Sequence, residues 1–298
     1  MGYAAKYRIQ RIIPLYLTVW FYNIAAAIIV HLTGIDSFSF MAPESVTEHI
    51  FPICGGFHWF FVAYAGVFLL MPLINSAVRN TDEKQLIVSV TATVLLLSCV
   101  GTFANKDVFV LNSGYSCFWI LIMYILGAVL RRFDVAEKLR LRTWLLLYLA
   151  VTLLVFLISV YLKFLLENGM ISHIDFLLYL GYTSPFTVIQ GICLVMGFAG
   201  IRTGQGLNRV IAFAAPHAFS VYIIHSTPFV WDYVMKKAFT WISDLSFPLR
   251  PLSVIGCAAA VFIICVIIDI PRAWLFSAAA KLMEKLKKKK QTAAGSPD

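Results

Sequence analysis

The sequence predicts an all-α polytopic transmembrane helical bundle of about eight spans. Three observations lead there: an extreme apolar composition, the length of the apolar runs, and their lack of strand-like alternation. Of 298 residues, 60% are hydrophobic and only 13% charged, and the mean hydropathy is +0.83. A water-soluble chain of this size cannot hide so much apolar surface, so lipid is its solvent. Apolar runs of the length a helix needs to cross roughly 30 Å of hydrocarbon recur at about 12–33, 57–78, 86–104, 114–130, 143–166, 176–200, 210–235 and 252–275. None alternates with the period of two of a barrel strand, and a continuous apolar run satisfies its own backbone groups only as a helix. The fourth run is the shortest and the seventh carries Pro216 and Pro228, so their ends are the least defined. The first run is expected to remain as an anchor. Lys6, Arg8 and Arg11 precede it and no small-residue cleavage site follows.

Orientation follows from the basic residues. In an eight-span arrangement, all of the 24 Lys and Arg except Lys106, Lys163, Lys236, Lys237 and Arg250 fall on the side that holds both termini. That side is expected to be the cytoplasmic face of a cell inner or plasma membrane. The net charge of +9 is then accounted for by basic loops and a Lys-rich tail against anionic lipid, with no nucleic-acid partner. The chain reads as one membrane domain over 1–284 and a basic, disordered tail over 285–298. The excursion from Gly34 to Gly56 carries Asp36, Glu44 and Glu48 but no Lys or Arg, which puts it outside. The six cysteines, Cys54, Cys99, Cys117, Cys193, Cys257 and Cys265, include no CxxC pair and read as packing residues, with no metal site.

Familiar catalytic signatures are absent: no HExxH, no phosphate-binding GxxxxGK and no nucleophile elbow. Gly204-Gln-Gly206 is too short to mark a nucleotide site. The remaining candidates are polar residues at membrane depth, where a charge costs about 2.5 to 3.5 kcal/mol on insertion scales. Arg8 and Arg11, three apart ahead of Pro14, suit a phosphate or pyrophosphate through their planar forks, or serve as ordinary cytoplasmic anchors. His58 and Trp59 open the second run within Phe57-His58-Trp59-Phe60-Phe61, and His31 ends the first. These are an aromatic belt or, where the two histidines meet, a binding site. Tyr222 and His225 share a face of the seventh run. A neutral imidazole there either relays a proton or makes an interhelical hydrogen bond. Asp269 and Arg272, beside Pro271, are expected to pair locally.

Taken in order, these segments resemble the acyltransferase-3 family of polytopic membrane O-acyltransferases. The resemblance rests on Arg8, Arg11 and Pro14; on Trp59-Phe60 with the run Leu69-Leu70-Met71-Pro72-Leu73-Ile74-Asn75; on Tyr124, Gly127 and Arg131; on Ser220, Tyr222 and His225; and on Asp269 and Pro271. It extends over nearly the whole chain. Members have about ten spans, and their first helix carries an arginine followed by a histidine regarded as the catalytic base. This sequence aligns from near the third helix of that pattern and has neither residue in a matching position, so it resembles a member lacking the first two helices: a fragment or a misplaced start, or a degenerate paralogue, and an inactive fragment is one expectation.

The resemblance implies transfer of an acyl group, acetyl above all, from cytoplasmic acyl-CoA to a hydroxyl of a cell-surface or lipid-linked glycan, a form of polysaccharide modification. Acyl-CoA is then a substrate, and no cofactor is bound. Arg8, Arg11 and Arg131 would hold the CoA phosphates, while His31, His58 and Trp59 would meet the acceptor. His225 with Tyr222 would supply the general base or proton relay. A transporter or flippase, or a non-catalytic membrane partner protein, would share the bundle and the basic inner face. The former is disfavoured by the lack of inverted halves with matched broken helices.

Overall fold

A computed structural model describes residues 8–34, 50–53, 58–174, 179–201 and 203–294. Among them the secondary structure is helical, with no strand. The principal helices are α1 (Ile13–Thr33), preceded by a 3-10 turn at Ile9–Ile12, then α2 (Trp59–Asn80), α3 (Glu83–Ala104), α4 (Cys117–Arg132), α5 (Leu141–Glu167), α6 (Pro185–Ala199), α7 (Gln205–Ala214), α8 (Ala218–Ser226) and α9 (Leu249–Ala294). The excursion around 34–56, including Cys54, lies mostly outside the described residues.

Among the described residues, six stretches are long and apolar enough to cross a membrane: Ile9–Thr33, Trp59–Asn80, Glu83–Phe103, Leu141–Glu167, Gln205–Ser226 and Leu249–Leu286. The expected count of about eight is corrected to about six. The runs at 114–130 and 176–200 become α4, with 16 residues, and α6, with 15. At 1.5 Å per residue they reach about 24 and 22 Å, short of the hydrocarbon core. Local chemistry sets where they start. The Ser116 hydroxyl accepts from the Trp119 amide and caps α4, and Ser184 caps α6 with Pro185 in its first turn. The seventh run also stops early. Thr227 is extended before Pro228, as a residue preceding proline prefers, and a π-helical turn at Trp231–Met235 follows. Helix α9 runs 46 residues, about 69 Å, and passes the boundary at 285 where disorder was expected. Lys, Glu, Leu and Ala are good helix formers, and they carry it on to Ala294.

The chain divides into two compact units, Met1–Ile12 with Trp59–Thr203, and Ile13–His58 with Gly204–Asp298. In the first, α2 packs on α4 and α5 on α6. Small residues permit the close approaches: a Cβ at Gly66 would come within 2.8 Å of the Cys117 sulfur, and one at Gly197 within 3.1 Å of the Trp144 Cβ. Helix α5 buries Trp144 alone. Leu146, Leu149, Leu153, Phe156, Val160 and Phe164 are exposed along it, a surface that water would not tolerate and lipid solvates. This is a multi-pass membrane protein.

In the second unit, α8 packs against α1 and α9. Helix α1 buries Thr18, Val19, Tyr22, Asn23, Ala26 and Val30, a stripe at helical spacing. Three of these side chains, Thr18, Tyr22 and Asn23, carry polar groups into the interior of the unit, where each needs a hydrogen-bond partner.

Candidate functional site

Helix α8 is the scaffold of the site. A 3-10 turn at Ala215–His217, with Pro216 at its start, leads into it, and Thr227 before Pro228 ends it. Polar side chains gather at both of its ends, so that the second unit holds two buried clusters.

The first cluster surrounds Asp269 of α9, whose side chain has no exposed surface. Arg272, one turn on, grips the carboxylate with Nε at 2.5 Å from Oδ1 and one terminal nitrogen at 2.9 Å from Oδ2. The ion pair expected from the sequence is therefore present. It has further partners that the residue pattern did not single out. Tyr22 donates its hydroxyl to Oδ1 at 2.6 Å, and His217 Nδ1 lies 2.5 Å from Oδ2. The second terminal nitrogen of Arg272 reaches the Thr18 hydroxyl at 3.3 Å, and that hydroxyl donates to the Pro14 carbonyl. The guanidinium also lies over the Phe276 ring. An ion removed from water needs such saturation, since bidentate geometry and filled lone pairs offset several kcal/mol of desolvation per charge.

The second cluster surrounds His58, which is likewise fully buried. Its Nε2 lies 2.9 Å from Asn23 Oδ1 and its Nδ1 3.2 Å from the Ser226 hydroxyl. An amide oxygen only accepts, so Nε2 carries the proton and the Nδ1 lone pair faces Ser226. The Asn23 amide nitrogen, also buried, has no partner among the described residues. Tyr222 stands edge-on between the two histidines, its ring centroid 6.2 Å from that of His58 and 6.2 Å from that of His225. His225 is half-buried, and its Nδ1 donates to the Val221 carbonyl at 2.6 Å. This bond fixes the ring and leaves Nε2 as the acceptor.

His31 and His58 do not meet. His31 is exposed in the last turn of α1, whereas His58 bonds Asn23 two turns nearer its start. The rule that flagged polar residues in apolar runs applied equally to Tyr22, Asn23 and His217. Applied evenly it would have found them, although nothing in their spacing names their partners.

The remaining expected residues belong to the first unit. Arg8 immediately precedes the 3-10 turn and Arg11 lies within it, the Arg11 amide donating to the Arg8 carbonyl at 3.0 Å, and in such a turn residues three apart lie one above the other. Arg8 is exposed and Arg11 partly so, while Ile12 anchors the turn against the buried cluster of Val67, Phe68 and Met71 on α2. Tyr124 donates to Asn75 Oδ1 at 2.9 Å, tying α4 to α2 just past Pro72. Arg131 is largely exposed and pairs loosely with Asp134 at 3.9 Å. Its neighbour Arg132 is committed elsewhere, to the Val78 and Thr81 carbonyls at the end of α2. Trp59 forms an aromatic group with Tyr115 and Tyr182, with centroid separations of 4.6 and 6.0 Å, and the two tyrosines lie 5.4 Å apart. Both tyrosines remain about half exposed. Among the described residues no group of His, Cys, Asp and Glu could hold a metal ion.

Comparison with known proteins adds a family. No curated protein and no solved structure matches the chain. The acyltransferase-domain model of the acyltransferase-3 family matches residues 3–270, a range that takes in the His58 cluster, Asp269 with its partners Tyr22 and His217, and the resemblance residues from Arg8 to Asp269; Pro271 and Arg272 lie just past its end. With that match extending over most of its length, this membrane protein belongs to the acyltransferase-3 family.

Proposed function

We propose that the chain transfers an acyl group, acetyl above all, from cytoplasmic acyl-CoA to a hydroxyl of a cell-surface or lipid-linked glycan. The observation that carries this reading is the set of His225. Its Nδ1 is held by the Val221 carbonyl, so Nε2 is free of that bond and stands ready to take the proton of an attacking hydroxyl. Tyr222, beside it, limits how that ring can turn. Acyl-CoA is in this reading a substrate, and the protein binds no cofactor.

The other roles are assigned by chemistry. Arg8 and Arg11, three apart at a short turn, offer two planar forks to the CoA phosphates, and exposed Arg131, only loosely paired, offers a third. Trp59, with Tyr115 and Tyr182, offers aromatic faces of the kind on which the C–H face of a sugar ring stacks. His58 and His31 complete the acceptor side as read from the sequence, although the burial of His58 requires a relay to any acceptor. The distribution of basic residues favours a cell inner or plasma membrane with both termini in the cytoplasm.

The test is acetyl transfer from acetyl-labelled acetyl-CoA to the glycan fraction of membranes carrying the protein. Incorporation that depends on His225, with normal insertion of a His225→Gln variant, is the expected result. Equal incorporation with the variant would overturn the assignment. Substrate-driven flux in proteoliposomes without acyl-CoA would point to a transporter.

A further inference from the structure

Ser226 is the accessible end of a three-residue chain whose other members are sealed. His58 has no exposed surface and Asn23 is 3% exposed, whereas Ser226 is half-buried. No substrate hydroxyl reaches His58 directly. Among the described residues, its lone pair at Nδ1 faces the Ser226 hydroxyl. A serine near a helix end commonly bonds back to a carbonyl one turn earlier, and Ile223 O lies 3.5 Å away. That carbonyl is already taken by the Thr227 hydroxyl at 2.8 Å and the Thr227 amide at 3.0 Å, which leaves His58, at 3.2 Å, as the better partner. A hydroxyl within hydrogen-bond reach of an imidazole, with that imidazole oriented by a third group, is the arrangement that activates a nucleophile.

We propose that Ser226 is a nucleophile, activated by His58 and aligned by Asn23, and that acyl transfer passes through an acyl-serine at position 226. This rests on the acyltransferase reading above and deepens it. In the first half-reaction, Ser226 Oγ attacks the thioester carbonyl carbon of acyl-CoA. The Oγ–C bond forms and the C–S bond breaks. The hydroxyl proton passes to His58 Nδ1 and from there to the departing CoA sulfur. In the second, the acceptor oxygen attacks the ester carbonyl, the new O–C bond forms as the Oγ–C bond breaks, and the acceptor's proton returns to Oγ through imidazole. His225 is suited to this second transfer. Asn23 is a positioning residue, holding the His58 tautomer whose lone pair faces Ser226.

The test needs no acceptor. The full-length protein in proteoliposomes is given acetyl-CoA together with isotopically labelled free CoA. The expected results are exchange of label into acetyl-CoA and a stable acetyl group on the peptide containing Ser226, released by hydroxylamine. Ser226→Ala abolishes both. Ser226→Cys carries the acetyl group as a thioester, which separates loss of the nucleophile from loss of the fold. His58→Gln slows labelling by about 10²-fold or more, and Asn23→Leu slows labelling without changing the site labelled. If the same preparation acetylates membrane glycan with neither exchange nor labelling, or if Ser226→Ala still transfers, the acyl-serine is overturned and the acyltransferase reading stands. A correctly inserted wild-type protein that neither exchanges, labels nor transfers overturns both.

Discussion

The Asp269 and His58 clusters share one helix, one compact unit and complete burial of their central residues, yet they are finished to different degrees. Around Asp269, both carboxylate oxygens are occupied by Arg272, Tyr22 and His217. Around His58, among the described residues, there are two hydrogen bonds, an amide nitrogen on Asn23 with no partner, and a serine, Ser226, that is only half-buried. The contrast teaches how to read buried polarity in a membrane protein. A saturated network has no valence left for a substrate and secures packing between helices, whereas an open one keeps a lone pair, a proton and a route to them.

Substitutions can break this comparison. The largest effect on folding is expected for Asp269→Ala, which strands Arg272 and His217 in the interior at a cost of about 3–5 kcal/mol. Thermal unfolding in detergent and the yield of inserted protein measure it. An Asp269→Ala protein as stable as the wild type would remove the case for a structural cluster. His225→Gln is expected to act on rate, lowering acetyl transfer by about 10²- to 10⁴-fold with the unfolding temperature nearly unchanged. Activity and stability assays on one preparation separate the two. Tyr22→Phe removes one hydrogen bond to a charged group, worth about 1.5–3 kcal/mol, and should leave the rate per folded molecule intact. A large rate loss at unaltered stability would move chemistry into the Asp269 cluster. Tyr124→Phe, which severs the α4 to α2 bond at Asn75, should cost about 1 kcal/mol. Arg131→Ala is the smallest in stability, within about 0.5 kcal/mol because its pair with Asp134 is exposed. Its effect should instead appear as a raised KM for acyl-CoA, and an unchanged KM would release Arg131 from that role.

The first unit shows where inference from sequence holds and where it stops. Helix α5 was legible because 27 residues of almost unbroken apolar character admit one structure in lipid. Runs 114–130 and 176–200 were misread as spans because hydropathy does not register Ser116, or Ser184 before Pro185, as the points where helix begins. Among site residues, the pairing of Asp269 with Arg272 was predictable from one helical turn of spacing. The bonds from Tyr22 and His217, 247 and 52 residues away along the chain, were not, because separation in sequence carries no register between helices.

By itself the sequence determined that lipid is the solvent, that the backbone is helical, and that Arg8, Trp59, Tyr222, His225 and Asp269 stand in an order that resembles the acyltransferase-3 family, to which the chain belongs. Composition and period fix such things, since each depends on a residue and its near neighbours. The tertiary structure alone decided which of those polar groups are saturated and which remain open. It set His217 on Asp269, it buried His58 beside Ser226, and it placed Asn23 on the other nitrogen of that ring. Side-chain partnership across helices is a matter of rotation and depth at contact, and only packing settles either.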